Sequence, residues 1–288
     1  MRRSLKTNQF WFYASLISLA VFYLTLTWKN TQNVDFIVTN SLFWGAIFLL
    51  LWRKRKQFSF GSDFFSTTFG LFLLTIVLIK SVSLVWFESL FFLPLTPFFG
   101  FLGLIAIAFG LKELRKYWWE LLLSGVLFFP SDTLGWWFNR LFQIQIMTAK
   151  LANYLLYYFG FNTISQNYNI VLHLPEQGYF TASVNYSCTG VSMIILMFKL
   201  ALLLESLVMM KQLQRFLFPT AAVMIGFFLG TIRVTIMTVL LPEPDKFTYW
   251  HGTEGAQIFS TLAIVIFSSF CYLQLKEQKF NSLTRTRN

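Results

Sequence analysis

Eight stretches of this chain are each long and apolar enough to cross a lipid bilayer, and that constrains its fold more than any other feature. A spanning helix needs ~20 mostly apolar residues, and residues 10–28, 34–52, 64–87, 91–111, 117–135, 189–210, 216–241 and 255–275 all qualify. Composition agrees. Of 288 residues, 56% are apolar and 12% charged, whereas soluble chains carry roughly 45–50% and ~25%. Thirty-six Phe, ten Trp and eleven Tyr are more than a soluble surface could hide, so soluble and disordered classes are both excluded. The two cysteines, Cys188 and Cys271, stand too far apart in number and place for a disulfide scaffold or a Cys-based zinc site. A net charge of +11 in so apolar a chain points to cytoplasmic loops on a bilayer and not to nucleic acid. The first apolar run is too long for a cleavable signal and lacks a small-residue cleavage site, so it is expected to be the first span.

Basic loops orient the spans, because Lys and Arg stay on the cytoplasmic side. Arg2-Arg3-Lys6, Arg53-Lys54-Arg55-Lys56, Lys112-Arg115-Lys116, Lys211-Arg215 and Lys276-Lys279-Arg285-Arg287 fall in every second loop. The opposite loops hold only Lys29, Arg140, Lys150 and Lys246. Both termini are therefore expected inside. Segment 136–160 is apolar but carries Arg140, Gln143, Gln145 and Lys150, and a crossing there would break this parity. It reads as a helix lying on the outer interface, with Trp136, Trp137, Tyr154, Tyr157 and Tyr158 as belt aromatics. Alternation in 168–172 and 180–184 around Pro175-Glu176-Gln177-Gly178 predicts a small extracytoplasmic β-hairpin. The fold class is all-α polytopic membrane protein in one domain, 1–288. Five N-terminal spans (1–135) lead to the outer segment (136–187) and a three-span core (188–275).

Polar residues within spans are costly, and each is a site candidate. Lys80 lies near the outer surface and can snorkel. Glu205 sits near the inner end of its span, where water reaches it. Lys199, ~15 Å into its helix at 1.5 Å per residue, must face the bundle interior or a partner carboxylate. His173 in the hairpin is expected to be structural. Cys188 stands where the outer segment enters the sixth span, and a helix N-terminus there favours its thiolate. Cys271 lies at the opposite membrane face and is expected to be inert. Arg233 falls ~25 Å across a ~30 Å core, in the outer third. His251 stands at the outer entrance to the eighth span. Each of the three has a bland explanation alone: a buried thiol, a snorkelling arginine, an interfacial histidine. Together they reach one membrane level from the last three helices. A thiolate, an imidazole for proton transfer and a cation are what cysteine acyl transfer requires. Glu254, counted one helical turn beyond His251, is placed to orient the imidazole. No HExxH, two-carboxylate or GxSxG pattern accompanies them, and no metal or cofactor is expected.

At these residues the chain resembles the exosortase/archaeosortase family of membrane enzymes. The resemblance lies in Cys188-x-Gly190 at the start of a span, Arg233 inside the next, and His251 in the following outer loop. It covers roughly 180–275, the earlier helices matching only as generic spans. Tyr186-Ser-Cys-Thr-Gly190 and Tyr249-Trp-His-Gly-Thr-Glu254 look most like the cyanobacterial branch. One departure is Gly230-Thr-Ile-Arg233, where many relatives carry an Asn shortly before the Arg. The resemblance implies a thiol protease or transpeptidase of the bacterial cytoplasmic membrane, active on the extracytoplasmic face. Its implied partners are membrane-anchored exported proteins with a C-terminal sorting signal of the PEP-CTERM type: a short Pro-Glu-Pro-like motif, a transmembrane helix and a basic tail. Cys188, Arg233 and His251 would be the catalytic residues, with Glu254, Tyr186 and Gly190 in support. Two other classes stay open. A transporter would show inverted repeats around a midplane site, which the sequence lacks. A non-catalytic assembly protein would keep processing intact without Cys188.

Overall fold

A computed structural model describes residues 2–32, 34–87, 93–175, 177–208 and 210–285. The expected start of the fourth span at 91, Glu176 of the hairpin turn and Arg287 lie outside the described residues. The chain divides into two compact units, one of residues up to 130 with 206–208, the other of 131–205 and the residues after 209.

The first unit holds helices α1 (Arg2–Thr31), α2 (Val34–Lys54), α3 (Phe64–Phe87), α4 (Thr96–Phe109) and α5 (Trp118–Phe128). Small residues let α3 and α4 touch backbone to backbone: a Cβ on Gly70 would fall 2.6 Å from the Gly103 carbonyl oxygen, a packing device common between membrane helices. Tyr23 on α1 donates to Asn40 Oδ1 on α2 at 3.3 Å. Lys54 on α2 pairs with the buried Glu120 of α5 at 2.6 Å. Exposed Phe and Leu side chains such as Phe64, Phe72 and Leu78 leave apolar surface suited to lipid.

The second unit begins with α6 (Ser131–Phe142) and α7 (Ile144–Tyr158). A sheet of β1 (Asn162–Gln166), β2 (Asn169–Leu174) and β3 (Gly178–Ser183) comes next, followed by α8 (Val191–Leu207), α9 (Gln212–Val239), α10 (Pro244–His251) and α11 (Thr253–Arg285). Met193, Met197 and Ala201 of α8, Phe218 and Ala222 of α9, and Phe259 and Ala263 of α11 form one buried cluster. A second cluster joins Ala149, Ala152 and Leu156 of α7 to Ile170 of β2 and to Val234 and Met237 of α9. That cluster seats the sheet on the helices.

Several elements differ from the sequence expectation. Among the described residues, five helices are long and apolar enough to cross a membrane, six if α5 and α6 count as one broken span. The expected fifth span, 117–135, stops at Phe128 because Pro130 follows, and Phe129 turns extended (φ −58°, ψ 141°) as residues before proline do. Helix α8 has 17 residues, about 25 Å at 1.5 Å per residue, short of a ~30 Å core. Segment 136–160 is two helices and not one. Gln143 takes a left-handed conformation between them (φ 49°), and the Asn139 side chain bonds the Gln145 amide (3.1 Å) and the Gln145 side chain (2.9 Å). Its belt aromatics are nonetheless exposed, Trp136, Trp137, Tyr154, Tyr157 and Tyr158 among them. Where two strands were expected, residues 162–183 form a three-stranded antiparallel sheet in the order β1-β2-β3. The polar strand β1 pairs with β2 from Asn162↔His173 to Gln166↔Asn169, and Asn167 (φ 56°) supplies the left-handed residue that a tight hairpin turn uses.

Candidate active site

After β3 the chain stays extended through Asn185 (φ −71°, ψ 160°), and then winds one short 3-10 turn, Tyr186–Cys188. The Cys188 amide donates to the Asn185 carbonyl at 2.9 Å. The Thr189 hydroxyl, fully buried, donates to the Tyr186 carbonyl at 2.7 Å. Helix α8 begins only at Val191. Cys188 therefore stands in a turn ahead of the helix and not in its first turn, and its own amide is already engaged.

Gly190 links that turn to α8 with φ +73°, a backbone that side chains rarely adopt. A Cβ there would fall 2.8 Å from Gly230 Cα on α9, and one on Gly230 would fall 2.9 Å from the Thr189 carbonyl oxygen. One turn earlier on α9, a Cβ on Gly226 would meet Ile194 Cα at 3.0 Å. The Gly226-x-x-x-Gly230 repeat is thus the surface that lets the Cys188 turn press against α9. Tyr186 is fixed on its other side by α6, because a Cβ on Gly135 would overlap the phenol oxygen at 2.1 Å.

Arg233 lies three residues beyond Gly230 and is 9% exposed. Its Nε donates to the Trp250 carbonyl (3.2 Å), and one Nη donates to the carbonyls of His251 (2.8 Å) and Gly252 (3.4 Å). Those carbonyls close the C-terminal end of α10, where the helix dipole places negative charge. The guanidinium is buried against protein, which replaces snorkelling as the explanation of its depth.

His251 is the last residue of α10 and is exposed. Its Nε2 stands 3.3 Å from Cys188 Sγ, within hydrogen-bond reach of a sulfur. Phe247, one turn back, stacks on the imidazole with ring centroids 5.4 Å apart and planes 19° from parallel. A cavity of about 190 Å³ opens beside the pair, walled by the end of β3, α9 and α10. All three predicted residues come together within the second unit. A thiol within reach of an imidazole, beside a cavity open to a ligand, is the arrangement of an activated nucleophile.

The family model described as Transmembrane exosortase (Exosortase_EpsH) matches residues 28–268. The chain belongs to the transmembrane exosortase family. The match reaches back to α1, well beyond the 180–275 stretch that carries the residue-level resemblance. This exosortase-family chain is accordingly a multi-pass membrane protein of a family that processes sorting signals. Comparison with curated proteins and with solved structures finds no significant match.

Other candidates fall elsewhere in this exosortase-family chain. Glu254 is exposed in the first turn of α11, and Gly252 (ψ −172°) breaks the helix between it and His251. The one-turn relation assumed from spacing does not hold, and among the described residues no hydrogen bond or ion pair joins the two. Lys199 is buried and donates to Ser131 Oγ at 3.0 Å, at the start of α6. Glu205 meets Arg215 Nε at 3.9 Å. His173 stacks on Tyr179 within the sheet, centroids 4.6 Å apart. Cys271 is 4% exposed in α11. Sequence reasoning missed Asn185, Phe247 and the glycines of α9. The Gly-x-x-x-Gly spacing and the i, i+4 relation of Phe247 to His251 were the available signals. Among the described residues no three His, Cys, Asp or Glu side chains converge as metal ligands do.

Proposed function

We propose that the chain cleaves C-terminal sorting signals of the Pro-Glu-Pro type from exported proteins by cysteine acyl transfer. The observation that carries this reading is the 3.3 Å separation of Cys188 Sγ and His251 Nε2. Cys188 gives its proton to His251, and the sulfur bonds to the scissile carbonyl carbon. The tetrahedral intermediate collapses with loss of the C–N bond, and His251 returns the proton to the leaving amine. The resulting thioester passes to an amine or hydroxyl acceptor, or to water, whose proton goes to His251 as the thiol is restored. Arg233 holds the end of α10 that carries His251 and adds positive charge near the sulfur. Tyr186 and Gly190 support the reaction by fixing the Cys188 turn. We place the site on the extracytoplasmic face of a bacterial cytoplasmic membrane, both termini inside, with the shorter helices α4, α5 and α8 completing the crossings. The cyanobacterial branch is the closest reading of the motifs around Cys188 and His251.

The test is to trap the thioester. After brief exposure to a membrane-anchored substrate with such a signal, a hydroxylamine-sensitive adduct should be found on Cys188 by mass spectrometry. Cleaved substrate accumulating with no adduct, while Cys188→Ala cleaves equally well, would remove the cysteine from the mechanism.

A further inference from the structure

Strand β3 is the outer member of the sheet, and among the described residues no strand pairs with its far edge. The cavity beside Cys188 is walled by that same strand, through Thr181, Ala182, Ser183 and Val184. The direction of the backbone groups along β3 follows from its ladder with β2. The Val184 amide donates to the Tyr168 carbonyl at 2.9 Å, on the β2 side. Successive residues of a strand point their N–H and C=O groups to opposite edges. Phe180 and Ala182, opposite Leu172 and Ile170, thus commit theirs to β2, whereas Tyr179, Thr181 and Ser183 direct theirs to the open edge. The Ser183 carbonyl accepts from the Asn185 amide at 3.0 Å, which closes the edge just before the Cys188 turn. Tyr179 and Thr181 remain, both exposed.

We infer that the substrate docks as an added fourth strand on β3, with the Thr181 N–H and C=O as its central contacts. This inference rests on the proposed function. An open strand edge offers donors and acceptors at every second residue, a spacing that another extended main chain matches. The edge runs into the turn that carries Cys188, so a strand laid along it is led toward the sulfur. Among the described residues no Asp, Glu, Lys or Arg side chain walls the cavity, so recognition there falls on the substrate's backbone and not on its charge. The occupant is an extended polypeptide stretch of the substrate beside the scissile bond.

A synthetic peptide carrying a Pro-Glu-Pro motif, bound to the full-length Cys188→Ala protein in detergent, is the probe. Its N–H-bearing amides, those of residues other than proline, are N-methylated one at a time. Affinity is expected to fall about 3–10-fold, the worth of one hydrogen bond, at every second amide and little at those between. A flat scan, or losses at consecutive amides, would overturn the docking mode. In the active protein, Thr181→Pro removes the outward N–H and leaves the β2 ladder untouched, whereas Thr181→Val keeps that N–H. Thr181→Pro should raise KM several-fold above that of Thr181→Val, with kcat alike in the two variants. Equal KM values for the two variants would also overturn the inference. If Cys188→Ala still processed substrate, the enzymatic reading beneath it would fail instead, so the two failures are distinguishable.

Discussion

Arg233 directs its guanidinium at three consecutive carbonyls, those of Trp250, His251 and Gly252, which are the histidine that faces Cys188 and its two chain neighbours. Hydrogen bonds from a charged donor are worth roughly 1.5–3 kcal/mol each, enough to hold the end of an eight-residue helix in one place. A lysine ammonium is a point charge on a flexible stem and cannot span the same three acceptors in one plane. Arg233→Lys is therefore expected to slow substrate processing about 100-fold, the usual cost of misplacing a catalytic group by ~1 Å. Alkylation of Cys188 by iodoacetamide should persist in that variant. Lys80→Ala should process normally. Wild-type processing by Arg233→Lys at equal expression would show that the carbonyl contacts are dispensable. Cys188, Arg233 and His251 were legible in the sequence because a bilayer penalises unpaired polar groups, so their placement stands out. The job of Arg233 was not, since its acceptors are backbone carbonyls, which no residue pattern marks. Glu254 misled for a related reason: spacing assumes a continuous helix, and Gly252 ends it.

At the scale of elements, the site depends on how closely α9 admits the turn before α8. Gly230→Ala would put a methyl 2.9 Å from the Thr189 oxygen and 3.1 Å from Gly190 Cα. Both neighbours are backbone and cannot swing aside. Overpacking of this kind typically costs about 1–3 kcal/mol. Gly190→Ala adds the penalty of a left-handed backbone, about 1–2 kcal/mol. Both variants should melt at lower temperature in detergent and lose processing. Gly61→Ala, with nothing within 4 Å of the new methyl, should do neither. Unchanged melting in Gly230→Ala would mean that the two backbones are not held in contact. Helix interiors were read well where apolar runs are unbroken, as in α2, α9 and α11. Ends and breaks were read poorly. Pro130 and Gln143 interrupt runs whose hydrophobicity continues, and the continuity masked the backbone signal. Strand β1 escaped notice because Asn162-Thr-Ile-Ser-Gln166 is largely polar, and only its pairing with β2 makes it a strand.

For the molecule as a whole, the proposed orientation rests on the distribution of basic loops, which would put Cys188 on the extracytoplasmic side. A membrane-impermeant thiol reagent applied to intact spheroplasts is expected to label Cys188. Labelling that appears only after permeabilisation would reverse the orientation. Cys271 is buried as well as expected on the other face, so its silence alone decides nothing, and Cys271→Ala simply clears the background. The membrane character of the chain was plain from its apolar runs, but its division at Pro130 into two compact units leaves no trace in hydropathy. What matters most is whether the thiol and imidazole 3.3 Å apart perform the cleavage. The direct measurement is the size shift of a membrane-anchored substrate bearing a Pro-Glu-Pro-type tail, followed on a gel with Cys188→Ala, Cys188→Ser, His251→Ala and Cys271→Ala at matched expression. Uncleaved substrate should accumulate with both Cys188 variants, because a serine hydroxyl is deprotonated far less readily than a thiol. It should accumulate with His251→Ala to the extent of a roughly 100–10,000-fold slower reaction, and Cys271→Ala should match wild type. A wild-type size shift in both Cys188→Ala and His251→Ala would contradict the cysteine–histidine mechanism outright.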